Sequence, residues 1–312
     1  MSKFPNRMAT MTAAPALALA LVLVLAAGTV RASDFQQQVA ADPRGEVDVS
    51  NISGSIVISG WDKPQVSVSA DLSSDSQRVR VVGGGRHTRV CVIYGTSNGC
   101  DSNGWHGGGG SVDLRIQVPQ QSQLDVSAVS ADITSRGVSG AQRLHSVSGD
   151  ISAELGSGDD EINSVSGSVI LHGSGQDGTL HVNTVSGDFT ATHLAGELEA
   201  RTVNGTLTAD LAPARRARLN TTSGDIHLNA KLASGGTIET ETVSGDQRMT
   251  VAAAAGYSYE AKSFSGDITD CFNQSSDKSE YGPGSHLDGT RGGGSGQVRI
   301  QSLSGDVYLC DH

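Results

Sequence analysis

Seven aspartates recur at one position of a repeated phrase: Asp132, Asp150, Asp188, Asp225, Asp246, Asp267 and Asp306. Carboxylates aligned along a stack repel one another, so something must offset their charge. Two kinds of partner suit the residue type. A short carboxylate in a turn accepts backbone N–H groups of that turn. Ca²⁺, a hard ion that takes oxygen ligands, could instead bridge neighbouring carboxylates. Ser168 and Thr206 interrupt the column and no nonapeptide calcium motif accompanies it, so the turn role is expected and no metal is assigned.

The other polar residues do not converge. His145, His172, His181, His193 and His227 sit at different offsets from their phrases, which points to solvated surface positions. Arg215, Arg216 and Arg218 cluster near Pro213, more as a solvated turn than as a contact for an anionic glycan or lipid. Trp61 and Trp105 have rings that could stack on sugars; Trp61 is expected to pack the N-terminal region, and Trp105 lies in a Gly-rich loop. A glycoside hydrolase needs paired acids at one focus. Here the acids follow the repeat, so neither catalytic nor cofactor-binding residues are assigned.

The phrase itself is the organising element. It reads Val147-Ser148-Gly149-Asp150-Ile151, Val185-Ser186-Gly187-Asp188-Phe189 and Leu303-Ser304-Gly305-Asp306-Val307, with an early copy at Ile52-Ser53-Gly54-Ser55-Ile56. From Ala131 to Gly266 the central positions are 18, 18, 20, 18, 19, 21 and 21 residues apart. A period near 20 with small slips marks a solenoid. Apolar residues alternate on both sides of the phrase, as in Leu198, Ala200, Thr202 and then Leu207, Ala209, Leu211. Period two means strand. The two alternations are out of phase across the Ser-Gly step, so a turn or bulge falls there, where glycine permits the backbone angles. A second turn falls at Gly196, Pro213 or Gly235.

The predicted fold is therefore all-β: a parallel β-solenoid of rungs of 18 to 21 residues. Its core is thin, made of Val, Ile, Leu and Ala stacked at ~4.8 Å per rung. Three residues before each central position stands a hydroxyl column: Ser146, Ser164, Thr184, Thr202, Thr221, Thr242, Ser263 and Ser302. Bonding along that column would satisfy it at the core edge. Eight steps from Ala131 to Gly305 give a rod about 38 Å long. Residues 33–120 carry longer strand-like runs and Gly clusters and are expected to form a β-rich N-terminal cap. Residues 121–312 are the solenoid, with a mobile insertion expected at 273–297.

Residues 1–32 have the layout of a secretory signal peptide: Lys3 and Arg7, an apolar run over 13–27, then Val30-Arg31-Ala32 before Ser33. Cleavage between Ala32 and Ser33 is expected. The run is short for a membrane span, and none is expected after cleavage. Without Lys3, Arg7 and Arg31 the formal charge falls from −11 to −14, a surface that repels phosphate backbones and argues against nucleic acid.

Four cysteines, Cys91, Cys100, Cys271 and Cys310, are an even number in an exported chain and read as disulfides. Cys271 lies five residues after Gly266 and Cys310 five after Gly305, so the repeat puts them in one column of successive rungs. Cys91 and Cys100 are close in sequence. The expected pairs are Cys91–Cys100 and Cys271–Cys310.

The Ser-Gly-Asp-Ile phrases, the segment Gly60-Trp61-Asp62-Lys63-Pro64 followed by Val66 and Val68, and Leu114-Arg115-Ile116-Gln117-Val118-Pro119 leading into the repeats together resemble a family of bacterial envelope proteins grouped as adhesins. The resemblance spans residues 45–310 and implies a β-solenoid in the periplasm or at the cell surface, with no catalytic residues to transfer. The expected function is a non-catalytic, adhesin-like binding or scaffold protein with an envelope or surface partner, protein or glycan. The alternatives are an envelope-stress or signalling accessory module and, further off, a carbohydrate-active enzyme.

Overall fold

Alternation builds each rung. In the strand Ile226–Ser244, the side chains of Ile226, Leu228, Ala230 and Leu232 point inward, as do those of Ile238, Thr240 and Thr242. The two arms of every rung bury such residues in one apolar cluster. Neighbouring rungs pair parallel and in register, as Leu207 with Ile226 and Ile226 with Gln247. The fold is an all-β parallel solenoid. The structure is a computed structural model that describes residues 34–95, 100, 110–272, 277–278 and 284–311. The cleavage site at Ala32 and Ser33, and Trp105, lie outside the described residues.

The corner between the arms is the Ser-Gly-Asp step. Thr242 and Gln247 both face the core across it, so an odd spacing of five carries the inward phase around the turn. The backbone ladder continues through the corner: Gly245 N–H donates to Ser304 O at 3.0 Å, and Gln247 N–H to Asp306 O at 2.9 Å. The opposite corner varies. Between Ile151–Leu155 and Asp159–Ser166 it breaks the chain into separate strands. In Phe189–Asn204 and Leu207–Ser223 it is absorbed as register shifts near Leu194 and Ala214.

Rung order departs from chain order at both ends. The last strands of the chain, Gly296–Ser304 and Val307–Cys310, do not stack on the outside. They lie between Ile226–Ser244 with Gln247–Ala253 on one side and Tyr257–Ser265 with Ile268–Asp270 on the other. At the other end the first rung, 46–61, sits between Gln123–Arg136 and an outer layer made from Gln77–Tyr94 and Val112–Pro119. The strands 46–61 and 296–310 thus have both sheet edges paired.

Charge is one term that favours this order. One outward column, read in spatial order, runs Arg143, Glu161, His181, Glu199, Arg218, Glu239, Arg299, Glu260. Basic and acidic residues alternate. Chain order would set Glu239 against Glu260, and like charges directly opposite are destabilising. The exchange places Arg299 between them, and its Nε lies 3.3 Å from Glu260 Oε2.

Antiparallel strands cover the ends. Gln65–Leu72 pairs antiparallel with Val112–Pro119, and Gln77–Tyr94 doubles back at Gly83, Gly84 and Gly85, so that Gly95 N–H donates to Ser76 O. At the far end Ser285–Arg291 pairs antiparallel with Tyr257–Ser265. A covered edge cannot template further strands. Part of the expected mobile insertion at 273–297 is therefore an ordered capping strand, held by seven register pairs to its neighbour.

The hydroxyl column is buried, at most 7% exposed from Ser146 to Ser302. One bond along it is seen, Thr184 to Thr202 at 2.8 Å. The commoner partner is the carbonyl of the corner glycine three residues on: Ser146 Oγ donates to Gly149 O, and Ser302 Oγ to Gly305 O. The column closes the corners more than it ties rungs together.

Candidate functional site

The aspartate column lies at the glycine corner, and its hydrogen bonds run between rungs. Asp132 Oδ1 accepts from Asp150 N–H at 3.0 Å, Asp225 Oδ1 from Asp246 N–H at 2.9 Å, and Asp306 Oδ1 from Asp267 N–H at 2.8 Å. Asp246 accepts from Asp306 N–H, following the exchanged order. Where Ser168 and Thr206 interrupt the column, their N–H groups donate to Asp150 and Asp188 of the preceding rung. The expected bonds within each aspartate's own turn are thus replaced by bonds to the next rung. The physical reason is direction: a strand-like corner aims its N–H along the stack, and an in-register carboxylate one rung away meets it.

Several of the remaining polar candidates are likewise taken up by their neighbours. Arg215 Nε lies 3.0 Å from Asp177 Oδ1, and Arg218 pairs with Glu239, whose hydrogen bond raises the guanidinium pKa. His145 bonds Asn163, His172 bonds Thr192, and His181 sits 3.3 Å from Glu199. They lie in different columns. Trp61 donates its Nε1–H to Gln65 O at 2.8 Å, with Lys63 over its ring. Among the described residues the one cluster with metal-ligand atoms close enough together is Glu46, Asp48 and His87. Arg89 already bonds Asp48 there at 3.2 Å, so the cluster is a surface ion-pair network. Cys91 and Cys100 are bonded, Cα to Cα 5.8 Å, and Cys271 and Cys310 likewise, at 5.0 Å.

One buried acid stands apart. Asp160 is 3% exposed, in a column where Leu180 and Leu198 occupy the next two rungs. Its Oδ1 accepts Gln142 N–H at 2.8 Å. Burial pushes its carboxyl up to about 6 from 3.8, against the pull of the Gln142 N–H and with Asp159 adding to the rise. The folded state therefore binds this proton more tightly than the unfolded chain, and this group's contribution weakens as pH rises from about 4 to 6. Asp160→Asn keeps an acceptor and removes the charge. It should match wild type below pH 4 and exceed it by roughly 2 to 3 kcal/mol above pH 6. Urea unfolding of both proteins at pH 3.5 and pH 7.5 measures this, and a pH-independent difference would remove Asp160 as the cause.

The feature the sequence reading missed is apolar. The first residue of each phrase points outward: Val147, Val165, Val185, Val203, Val243, Leu303 and Phe264 are 44–55% exposed. In spatial order they form one line, broken by Thr222 between Val203 and Val243. Beside this stripe runs a polar column, His145, Asn163, Asn183, Arg201, Asn220, Glu241, Gln301 and Lys262. The buried hydroxyls form the floor between them. The result is a shallow groove, with one hollow at His145, Asn163 and Val165 and the next at Arg201, Val203 and Glu241. The signal was present: each phrase begins one residue after an inward hydroxyl, so it must face out.

Comparison with known proteins places the chain as follows. The family model described as Toastrack DUF4097 matches residues 46–309. No curated protein matches. Three solved structures are similar to the chain at low identity. A candidate lipid-binding protein from Parabacteroides distasonis is 12% identical, with TM-score 0.49, covering 88% of this chain and 97% of its own. A candidate adhesin from Bacteroides fragilis is 10% identical, with TM-score 0.37, covering 90% and 98%. A candidate cell-adhesion protein from Clostridium sporogenes is 9% identical, with TM-score 0.25, covering 90% and 100%. Likenesses at this level carry no argument about activity.

Proposed function

This chain belongs to the Toastrack DUF4097 family, and from that premise we propose that it is a non-catalytic rod of the cell envelope, adhesin-like in using a long surface to bind or scaffold. The observation that carries this reading is the exposed apolar stripe from Val147 to Phe264 among the described residues. An apolar line of this length suits contact with another molecule. The paired cysteines and the signal-type leader favour an oxidising compartment outside the cytoplasm.

The test is photo-cross-linking in intact cells of the native host, with a benzophenone side chain at Val203 or, as control, at Thr208 on the outer face of the other arm. Adducts at 203 and none at 208 are expected. Equal labelling, or none at 203, would remove the stripe as a contact surface. Release of reducing ends from acidic polysaccharides by the purified protein would overturn the non-catalytic reading.

A further inference from the structure

We propose that the stripe's partner is a second copy of this chain, packed antiparallel about a two-fold axis at Thr222; this rests on the reading of the stripe as a contact surface. The geometry supplies the argument. The stretch from Val165 to Phe264 covers six steps, about 29 Å, and a partner for it must present apolar groups at the rung spacing of ~4.8 Å; Val147 lies beyond the matched stretch. A flexible or helical partner drifts out of step with such a line. A second solenoid has the same repeat, so contacts made at one rung recur at every rung.

The sequence of side chains along the stripe is self-complementary in one register. A two-fold axis lying across both rods at Thr222 reverses their direction and keeps each column facing its own counterpart. Val203 then meets Val243 of the other copy, Val185 meets Leu303, and Val165 meets Phe264. Thr222, the one hydroxyl in the line, meets itself. The polar column matches in the same register. Arg201, which already pairs with Glu199 of its own chain, and Glu241 stand one rung either side of Asn220, so each Arg201 faces the other copy's Glu241, twice per dimer. Asn183 faces Gln301, Asn163 faces Lys262, and Asn220 faces itself. Within these two columns no like charges meet; one column further from the stripe the same register sets Arg218 against itself and Glu199 against Glu239, so the contact is confined to the stripe and the polar column. A shift of one rung sets Thr222 against a valine and leaves Arg201 and Glu241 without each other. An isologous contact of this kind closes on itself and forms dimers only.

The net charge of −14 on residues 33–312 acts against association at long range, so the apolar line must supply the attraction and the Arg–Glu pairs the register.

Thr222→Cys tests the axis directly. All four native cysteines are bonded, so an added thiol reports alone. Mild oxidation of residues 33–312 carrying Thr222→Cys should give a disulfide-linked dimer in high yield, and Thr208→Cys should not. Arg201→Glu and Glu241→Arg should each weaken the dimer in sedimentation equilibrium, on the order of tenfold, and the double exchange should restore it. Circular dichroism establishes that each variant is folded. A monomeric wild type, equal cross-linking at 222 and 208, or no rescue in the double exchange would overturn the proposal. The photo-cross-linking above separates the two readings. An adduct at 203 with the mass of two copies supports the dimer. An adduct with a foreign protein overturns the dimer and leaves the contact surface standing. No adduct overturns both.

Discussion

Gly245→Ala should destabilise the protein by about 4 kcal/mol or more, lowering its midpoint of thermal unfolding by roughly 10 °C. Gly245 has φ +142°, where side chains other than hydrogen are strained, and a Cβ built there would lie 2.1 Å from Gly224 O. That carbonyl cannot retreat. Gly224 belongs to the rung below, whose own N–H donates to Ser244 O at 2.9 Å. Neighbouring corners repeat the arrangement: a Cβ on Gly224 would meet Gly205 O at 2.1 Å, and one on Gly305 would meet Gly245 O at 2.1 Å. Relief at one rung therefore has to be transmitted to the next. The matched control is Gly235→Ala. Gly235 also has a positive φ, +73°, but a Cβ there meets nothing within 4 Å. Its cost should stay near the backbone term alone, about 1 kcal/mol. Thermal unfolding of both variants, followed by far-UV circular dichroism, measures the difference. If the two lose the same amount, close stacking of the glycine corners is not what limits them.

The second large effect concerns the exchanged last rung. Cys271 and Cys310, 39 residues apart, stand beside each other because Asp270 pairs with Leu309 one position earlier. Closing a loop of that length should stabilise the fold by roughly 4 kcal/mol in the chain-entropy model. Cys91–Cys100 closes only nine residues and should contribute less, about 2.5 kcal/mol. The larger bond also ties the outer strand Ile268–Asp270, only three residues long, to Val307–Cys310 beneath it. Replacing both Cys271 and Cys310 by Ser should lower global stability and speed amide exchange first in 268–271 and 296–310. Non-reducing peptide mapping of the wild type should recover 91 with 100 and 271 with 310. A crossed pair, or loss of protection spread evenly along the rod, would contradict this account.

Much of the rung was legible in the sequence. Period two in Leu207, Ala209 and Leu211 identifies a strand with one buried face, because only that face can be apolar at every second residue. The glycine of the phrase marks the corner, because a side chain there would strike the rung below. Cys271 and Cys310 share an offset from their glycines, so their adjacency follows once rungs are in register. These are local facts, repeated with a period the chain itself displays.

Other features were not legible rung by rung. The outward valines were in plain view, but Val203 reads as core until Thr202 is known to face inward. Asp160 occupies a place that Leu180 fills in the next rung, and its raised pKa comes from the burial that stacking imposes.

What the sequence alone determined was the repeating unit: two arms, a glycine corner, an inward phase and an in-register stack. What only the tertiary structure decided was which rung lies on which. Every rung offers nearly the same backbone ladder and apolar face to a neighbour, so local pattern is degenerate in order. Non-local terms break the tie. Arg299 is placed between Glu239 and Glu260, the strands 46–61 and 296–310 acquire partners on two edges, and antiparallel strands at 65–72 and 285–291 close what would otherwise remain open. Each of these depends on residues far apart in the chain meeting at once, and no window of the repeat contains them.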